Sequence, residues 1–367
     1  MKPESILTHG SGGNPSGGLS PPLDRSTTFE GTAGRSSAYG RDHSPTLQGV
    51  EARLGALEDA AALAFASGLT AWTVLCQTVL RPGAVVAIPT RGYYGVETHA
   101  QLLLEPWGVE VRRFNPVDAD AVVSAAHGAR LMLVETPANP DLRVIDIAHV
   151  ADVAHAAGAL LVCDNTVATP LLQRPLDLGA DITWQSATKY LGGHSDVLAG
   201  VLATRDTELG ARIRKVRAHI GGALSPDAAW LLGRGLQTLA VRIVRQCETA
   251  LDLAKRLACH PAVAHVNYPG LPHHANHEIA AAQMTGGFGG LLSFEVTDAS
   301  AADRVIGALQ MIHAATSLGG VESLIERRSR IEPEGRVAAG LLRLSVGLES
   351  VDDLWTDLRA GLDPLQR

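Results

Sequence analysis

The chain has 367 residues, 46% hydrophobic and 19% charged, with a formal net charge of −7; this describes a globular protein of about two domains. Its acidic and basic residues are interspersed, which excludes the basic face of a nucleic-acid binder, and no uncharged run reaches membrane-spanning length. The start, MKPESILTHGSGGNPSGG, has no apolar signal core, and Cys76, Cys163, Cys247 and Cys259 are far apart without a CxxC pair, so the expectation is a cytoplasmic protein with buried thiols, no disulfide framework and no metal site.

The first forty-odd residues are rich in Gly, Ser, Thr and Pro without periodicity, so residues 1–45 are expected to form an extended arm that builds no core. Around Leu54 the pattern becomes helical. Short apolar runs then alternate with amphipathic stretches: AVVAIP (84–89), VEVRRF (109–114), RLMLVE (130–135), LLVCDN (160–165), DITWQS (181–186) and AGVLATR (199–205). Between them, segments such as 146–158 carry apolar residues at helical spacing and end in a capping glycine. Strand and helix in alternation predict an α/β domain over 46–234, a mostly parallel sheet with helices on both faces. Long helical segments follow (208–219 and 227–258). GGLLSFEV (289–296) and LLRLSVG (341–347) then read as strands and 300–309 and 351–361 as helices, which predicts a smaller α+β domain over 235–367.

One residue type stands out. Of 31 basic residues only four are lysine, and Lys189 lies in the weakly charged stretch SATKYLGGHSDVLAG. A guanidinium stays protonated, whereas a desolvated lysine amine loses its proton and attacks carbonyls to form a Schiff base. In a parallel sheet, ligands bind beyond the carboxyl ends of the strands. Asp164 ends the run LLVCD and Lys189 follows DITWQS, so both are expected in one crevice. Ser67 and Gly68 open a helix whose free amides suit an anion, Ser186 and Thr188 flank the lysine with hydroxyls, and Asn139 sits in the proline-stiffened ETPANP. Together these supply a Schiff-base amine, a partner for a ring nitrogen, a phosphate cradle and a ring-hydroxyl donor, the needs of pyridoxal 5'-phosphate.

On these residues and on PPLDRSTTFE (21–30), AYGRDHSPT (38–46), FASGLTA (65–71), DNTVATP (164–170), YPGLPHHANH (268–277), GGFGGLLSFE (286–295), SLGGVESL (317–324) and LLRLSVGLE (341–349), the chain resembles the Cys/Met-metabolism pyridoxal phosphate enzymes. These include the cystathionine γ-synthases and the γ- and β-lyases. The resemblance implies fold type I, with a seven-stranded sheet. It implies that Lys189 holds the cofactor, Asp164 pairs with its ring nitrogen, Asn139 meets the ring hydroxyl, and Tyr94 stacks on the ring and protonates the leaving group. The phosphate would lie on Gly68, Leu69, Ser186 and Thr188, completed by Tyr39 and Arg41 from the arm of a neighbouring subunit, in at least a dimer and by expectation a tetramer. Arg343 would take the α-carboxylate of an amino-acid substrate as a bidentate fork, with Ser317 and Glu322 beside it.

Glu322 in SLGGVESL matches γ-lyases and γ-synthases better than β-lyases, and ERRSRIEPEG (326–335) departs from the family's usual segment and is similar to a group labelled cystathionine γ-lyases. The expected reaction is γ-elimination of cystathionine, with γ-replacement on an O-activated homoserine as the alternative. A dinucleotide-binding oxidoreductase would need GxGxxG between the first strand and helix; GGFGG (286–290) precedes a strand in the other domain. HHANH (273–277) lacks an accompanying acidic or cysteine cluster and reads as a polar loop, and His194 as a structural residue.

Overall fold

The computed structural model describes residues 1–9, 18–30, 39–332 and 335–366. Seven strands form the larger sheet: β1 (Ala61–Phe65), β2 (Val85–Pro89), β3 (Glu110–Phe114), β4 (Ala129–Glu135), β5 (Leu160–Asp164), β6 (Ile182–Gln185) and β7 (Gly200–Thr204). Their order is β1-β7-β6-β5-β4-β2-β3. The pairs from β3 to β6 are parallel, and β7 runs antiparallel to both its neighbours. The inner strands read as continuous apolar runs because both faces are buried. In β4, Leu131 and Leu133 join one cluster with Trp72, Leu75 and Ile213, while Met132 and Val134 join Val122, Val150 and Leu161 on the other. That alternation follows from the period of two along a strand.

A five-stranded sheet follows, from β8 (His265–Asn267), β9 (Leu291–Glu295), β10 (His313–Ala314), β11 (Leu324–Arg327) and β12 (Leu341–Ser345), ordered β10-β11-β12-β9-β8. The helices Ala299–Ala308 and Val351–Leu362 cover it through Ala302, Val305, Leu354 and Leu358.

Four features depart from the sequence reading. The five-residue β1 was not anticipated: the helix Pro45–Glu58 stops at Asp59, whose backbone is left-handed (φ 51°), and the strand begins two residues later. Residues 227–258 form two helices, Pro226–Leu236 and Leu239–Ala258. The break lies where Gly235 packs against the Gly192 carbonyl so closely that a Cβ would fall 2.2 Å from its oxygen. The arm does contribute to the core, because Pro3–His9 is a helix that buries Leu7 beside Leu47 and Leu54; residues 10–17 and 31–38 lie outside the described residues. Cys259 is exposed, while the other three thiols are buried. Among the described residues no helix is long and apolar enough to cross a membrane, and no cluster of three or more His, Cys, Asp or Glu could hold a metal.

Candidate active site

A cavity of about 360 Å³ opens beyond the carboxyl ends of β4, β5 and β6. Its walls include Gly68, Leu69, Asn139, Asp164, Ser186, Thr188 and Lys189. Seven positions that sequence reading drew from four separate segments therefore meet in one place.

Each is held by its local structure. Ser67 caps the helix Gly68–Val79 by accepting a hydrogen bond from the Thr70 amide at 3.0 Å. The first amides of the helix, at Gly68 and Leu69, then have no partner within the helix. Trp184 of β6 donates its indole N–H to the Gly68 carbonyl at 2.9 Å and stacks on Trp72, fixing that helix end to the sheet. Gly68 leaves room that a side chain would take: a Cβ there would lie 3.2 Å from Ser186 Cβ.

Asp164 ends β5, and its Oδ1 accepts hydrogen bonds from the Thr166 amide (3.0 Å) and hydroxyl (2.5 Å). The Thr166 hydroxyl in turn accepts from the Ser186 amide at 2.8 Å, which links the Asp164 loop to the lysine loop. Glu135 ends β4 and is buried close to Asp164. Burial pushes both carboxyls above the usual range, and Asp164 raises Glu135 further. Glu135 accepts from the Tyr93 amide at 2.6 Å and from the Asn139 amide at 2.7 Å, so one carboxylate organises two loops of the cavity.

Lys189 lies in a tight turn after β6, with Gly193 donating its amide to the Lys189 carbonyl at 2.7 Å. Gly193 has φ +72°, and a Cβ there would collide with the Arg242 guanidinium, which donates to the Tyr190 carbonyl at 2.7 Å. The helix break described above brings Arg242 here, so the second helix clamps the lysine loop. Thr188 exchanges hydrogen bonds with the Ala199 backbone at 3.0 and 3.1 Å. The lysine amine donates to Ser317 Oγ at 2.8 Å. Burial, with the Arg343 charge as the next cause, brings its pKa down to about 8.

Arg343 stands in the middle of β12, buried, and does not line the cavity wall. It donates to Asn139 Oδ1 at 3.1 Å and to the Ser317 carbonyl at 2.8 Å. Ser317, at φ 80°, thus contacts the lysine amine through its hydroxyl and the guanidinium through its carbonyl. Glu322 accepts from the Ser195 hydroxyl, and the His194 Nδ1 lies 2.9 Å from the Gly192 carbonyl, a structural contact.

Tyr94, the expected stacking residue, is not on the cavity wall. Tyr93, not Tyr94, lines the cavity. Tyr94 begins the helix Tyr94–His99 and is 41% exposed, its ring 5.1 Å from that of Tyr93. With two tyrosines in sequence, the turn into that helix decides which ring faces inward. Burial, and then the charges of Tyr94, Asp164 and Glu135, raise the Tyr93 phenol, so it keeps its proton at neutral pH. Glu135, Thr166, Val167, Leu198 and Leu318, also at the cavity or its mouth, were not singled out from sequence; the position of Glu135 just before TPANP was the available signal. Tyr39 and Arg41 lie on the surface of this chain, the guanidinium 5.2 Å over the Tyr39 ring.

The sequence profile of the Cys/Met metabolism PLP-dependent enzymes matches residues 6–363. The chain belongs to this family. A putative cystathionine γ-lyase of Streptomyces coelicolor is 42% identical over 330 residues, 89% of this chain and 83% of that protein. A cystathionine γ-synthase of Mycobacterium tuberculosis is 41% identical over 359 residues, covering 94% and 92%. The solved structure of a Lactobacillus plantarum cystathionine γ-lyase complexed with L-serine superposes with a TM-score of 0.96 at 36% identity, covering both chains fully. The protein is therefore a fold type I, pyridoxal phosphate-dependent enzyme. Its cavity fits that cofactor: an amine whose pKa burial brings down to about 8 for the aldehyde, a helix N-terminus made approachable by Gly68, and a buried carboxylate at a strand end.

Proposed function

We propose that the enzyme catalyses γ-elimination of L-cystathionine, in which water is consumed and cysteine, 2-oxobutyrate and ammonia are released as the Cγ–S bond breaks. The observation that carries an amino-acid substrate is the bridge through Ser317, which sets a reactive amine and a guanidinium one residue apart. An α-amino acid offers an amine toward the first and a carboxylate toward the second. The sequence likeness to proteins named γ-lyases supports the elimination.

In this reading, Lys189 holds the cofactor's aldehyde, Asp164 faces its ring nitrogen, Asn139 its ring hydroxyl, and Gly68, Leu69, Ser186 and Thr188 its phosphate. The bound cofactor supplies an electron sink for negative charge at Cα. Arg343 would bind the α-carboxylate, and the Lys189 Nζ, when free, would take the α-proton and then carry the β-proton. Tyr93 takes the stacking and leaving-group roles, protonating the departing thiolate with the hydroxyl that its surroundings keep protonated. Ser317 and Glu322 lie on the substrate side. A second copy of the chain supplies Tyr39 and Arg41, consistent with their position on the surface, and we propose a tetramer of two such dimers. Residues 1–45, 46–234 and 235–367 serve as arm, cofactor domain and C-terminal domain.

Likeness of the same degree to γ-synthases favours a second reading, γ-replacement on an O-activated homoserine. Product analysis separates the two. Incubation of the loaded enzyme with L-cystathionine is expected to yield cysteine and 2-oxobutyrate; homocysteine with pyruvate would mean β-elimination instead. No turnover of cystathionine, together with its formation from cysteine and an O-acylated homoserine, would establish the synthase.

The tyrosine assignment has its own test. Tyr93→Phe is expected to lower kcat by about 10²-fold or more, within the range for loss of a general acid, and Tyr94→Phe by less than about tenfold. The reverse order in steady-state kinetics returns the role to Tyr94.

A further inference from the structure

Glu326, Arg328, Glu332 and Arg336 build a ladder of alternating charge behind Arg343. In the antiparallel register of β11 on β12, Glu326 lies directly opposite Arg343. Arg328 follows two residues on, where the chain leaves β11 into a short 3₁₀ turn. One carboxylate oxygen, Glu326 Oε2, accepts from Arg328 Nη1 at 2.7 Å and lies 3.0 Å from Arg343 Nη2. The other side of Arg328 meets Glu332, whose second oxygen is 3.7 Å from Arg336. Arg336 reaches the Thr90 carbonyl at 2.9 Å, in the loop between β2 and Tyr93. Arg328, Arg343, Glu326 and Glu332 are all at least 91% buried.

Two guanidiniums therefore divide one carboxylate. Arginine stays charged even when buried, and in a poorly screened interior the ion pairs act strongly on their neighbours. If Glu326 had Arg343 as its sole cation, the two would form a neutral pair, with Arg343 drawn toward β11. Arg328, itself paired with Glu332 on its other side, shares that carboxylate oxygen with Arg343. Arg343 therefore holds only a share of one Glu326 oxygen, and its Nε is a buried donor without a partner. The like charge of Arg328 is, after burial, the main cause that lowers the Arg343 pKa, to about 10, in keeping with their closeness.

We propose that Arg328 is a positioning residue for substrate: by sharing Glu326 it frees the Arg343 guanidinium for the α-carboxylate of the incoming amino acid. This rests on the reading of Arg343 given under the proposed function. It predicts a defect confined to ligands that carry a carboxylate.

The test titrates the cofactor-loaded enzyme, by its visible spectrum, with glycine and with methylamine, which has the amine but no carboxylate. Arg328→Met is expected to weaken glycine about tenfold, the size of one charge-assisted hydrogen bond, and to leave methylamine within twofold. In turnover, KM rises and kcat stays near wild type. Arg328→Lys restores part of the glycine affinity. Glu326→Gln/Arg328→Met, which also removes the carboxylate that the two arginines share, returns glycine to within about threefold of wild type. Glycine unchanged in Arg328→Met, equal weakening of both ligands, or no rescue in the double variant overturns the proposal. Should Arg328→Met fail to fold, the double variant decides: glycine about tenfold weaker with methylamine unchanged overturns it. Arg343→Gln separates the underlying reading, since glycine binding unaffected there shows that Arg343 does not receive the carboxylate at all.

Discussion

Replacing Lys189 with alanine is expected to lower kcat by at least about 10³-fold, because one amine both holds the cofactor and moves the protons. Borohydride treatment of the wild-type enzyme should fix the cofactor covalently on Lys189, and the alanine variant should remain unlabelled. Unchanged labelling of the variant, found by mass spectrometry of its peptides, would place the attachment elsewhere. The amine also predicts a pH dependence. Burial and the neighbouring Arg343 hold it at about 8, below its ordinary 10.5. The neutral amine is the nucleophile, so the rate at which cofactor-free protein captures pyridoxal phosphate should rise with pH through about 8 and level off above it. A rate still climbing well above pH 8 would mean an unperturbed lysine. The linked effect on folding has the same sign. The native state binds this proton less tightly than the unfolded chain, so its burial costs stability below about pH 8, and the cost is relieved as pH rises from 8 toward 10.5.

Removing Glu51 is expected to cost about 3–5 kcal/mol of folding stability, the usual price of leaving a buried charge without its partner. Glu51, on the helix Pro45–Glu58, pairs with the fully buried Arg217 on the helix Thr207–Ile220 and accepts from the Ala64 amide at 2.9 Å. Arg217 donates to the Ala64 carbonyl at 2.6 Å and lies over the Phe65 ring. Arg214 adds a second contact at 3.1 Å from a half-exposed position. These groups tie two helices to β1, the strand that leads into Ser67 and Gly68, so Glu51→Ala should also weaken cofactor binding. Denaturant unfolding of the cofactor-free protein measures the first effect and cofactor titration the second. Glu51→Leu/Arg217→Met should recover much of the loss, since an apolar pair of similar volume removes both the charge and its desolvation. A single variant within about 1 kcal/mol of wild type would show that solvent reaches the pair.

The six anticipated strands of the large sheet were legible because apolar runs bounded by capped amphipathic helices have few other uses. Strand ends were legible too, and they carried Asp164 and Lys189 into the cavity. β1 was hidden because AALAF is five residues between helices and has no turn residue to announce it. The helix break at Gln237–Thr238 was hidden because Leu, Arg and Gln continue a helical pattern in either case; close approach of Gly235 to Gly192 decides it. Leu7 read as part of a polar arm because its partners, Leu47 and Leu54, lie some forty residues away.

Chemistry-bearing residue types are set by covalent structure. A lysine among small neighbours, a carboxylate at a strand end and a Ser-Gly helix start retain their meaning in any fold that brings them together, so the cofactor and family were determined by sequence alone. Which of two adjacent tyrosines faces inward depends on the turn entering one helix. The sharing of Glu326 between two arginines depends on antiparallel register. The shift of the lysine amine depends on how much water the assembled cavity excludes around it. Only the tertiary structure decided these, because orientation, register and desolvation arise from contacts between segments far apart in the chain.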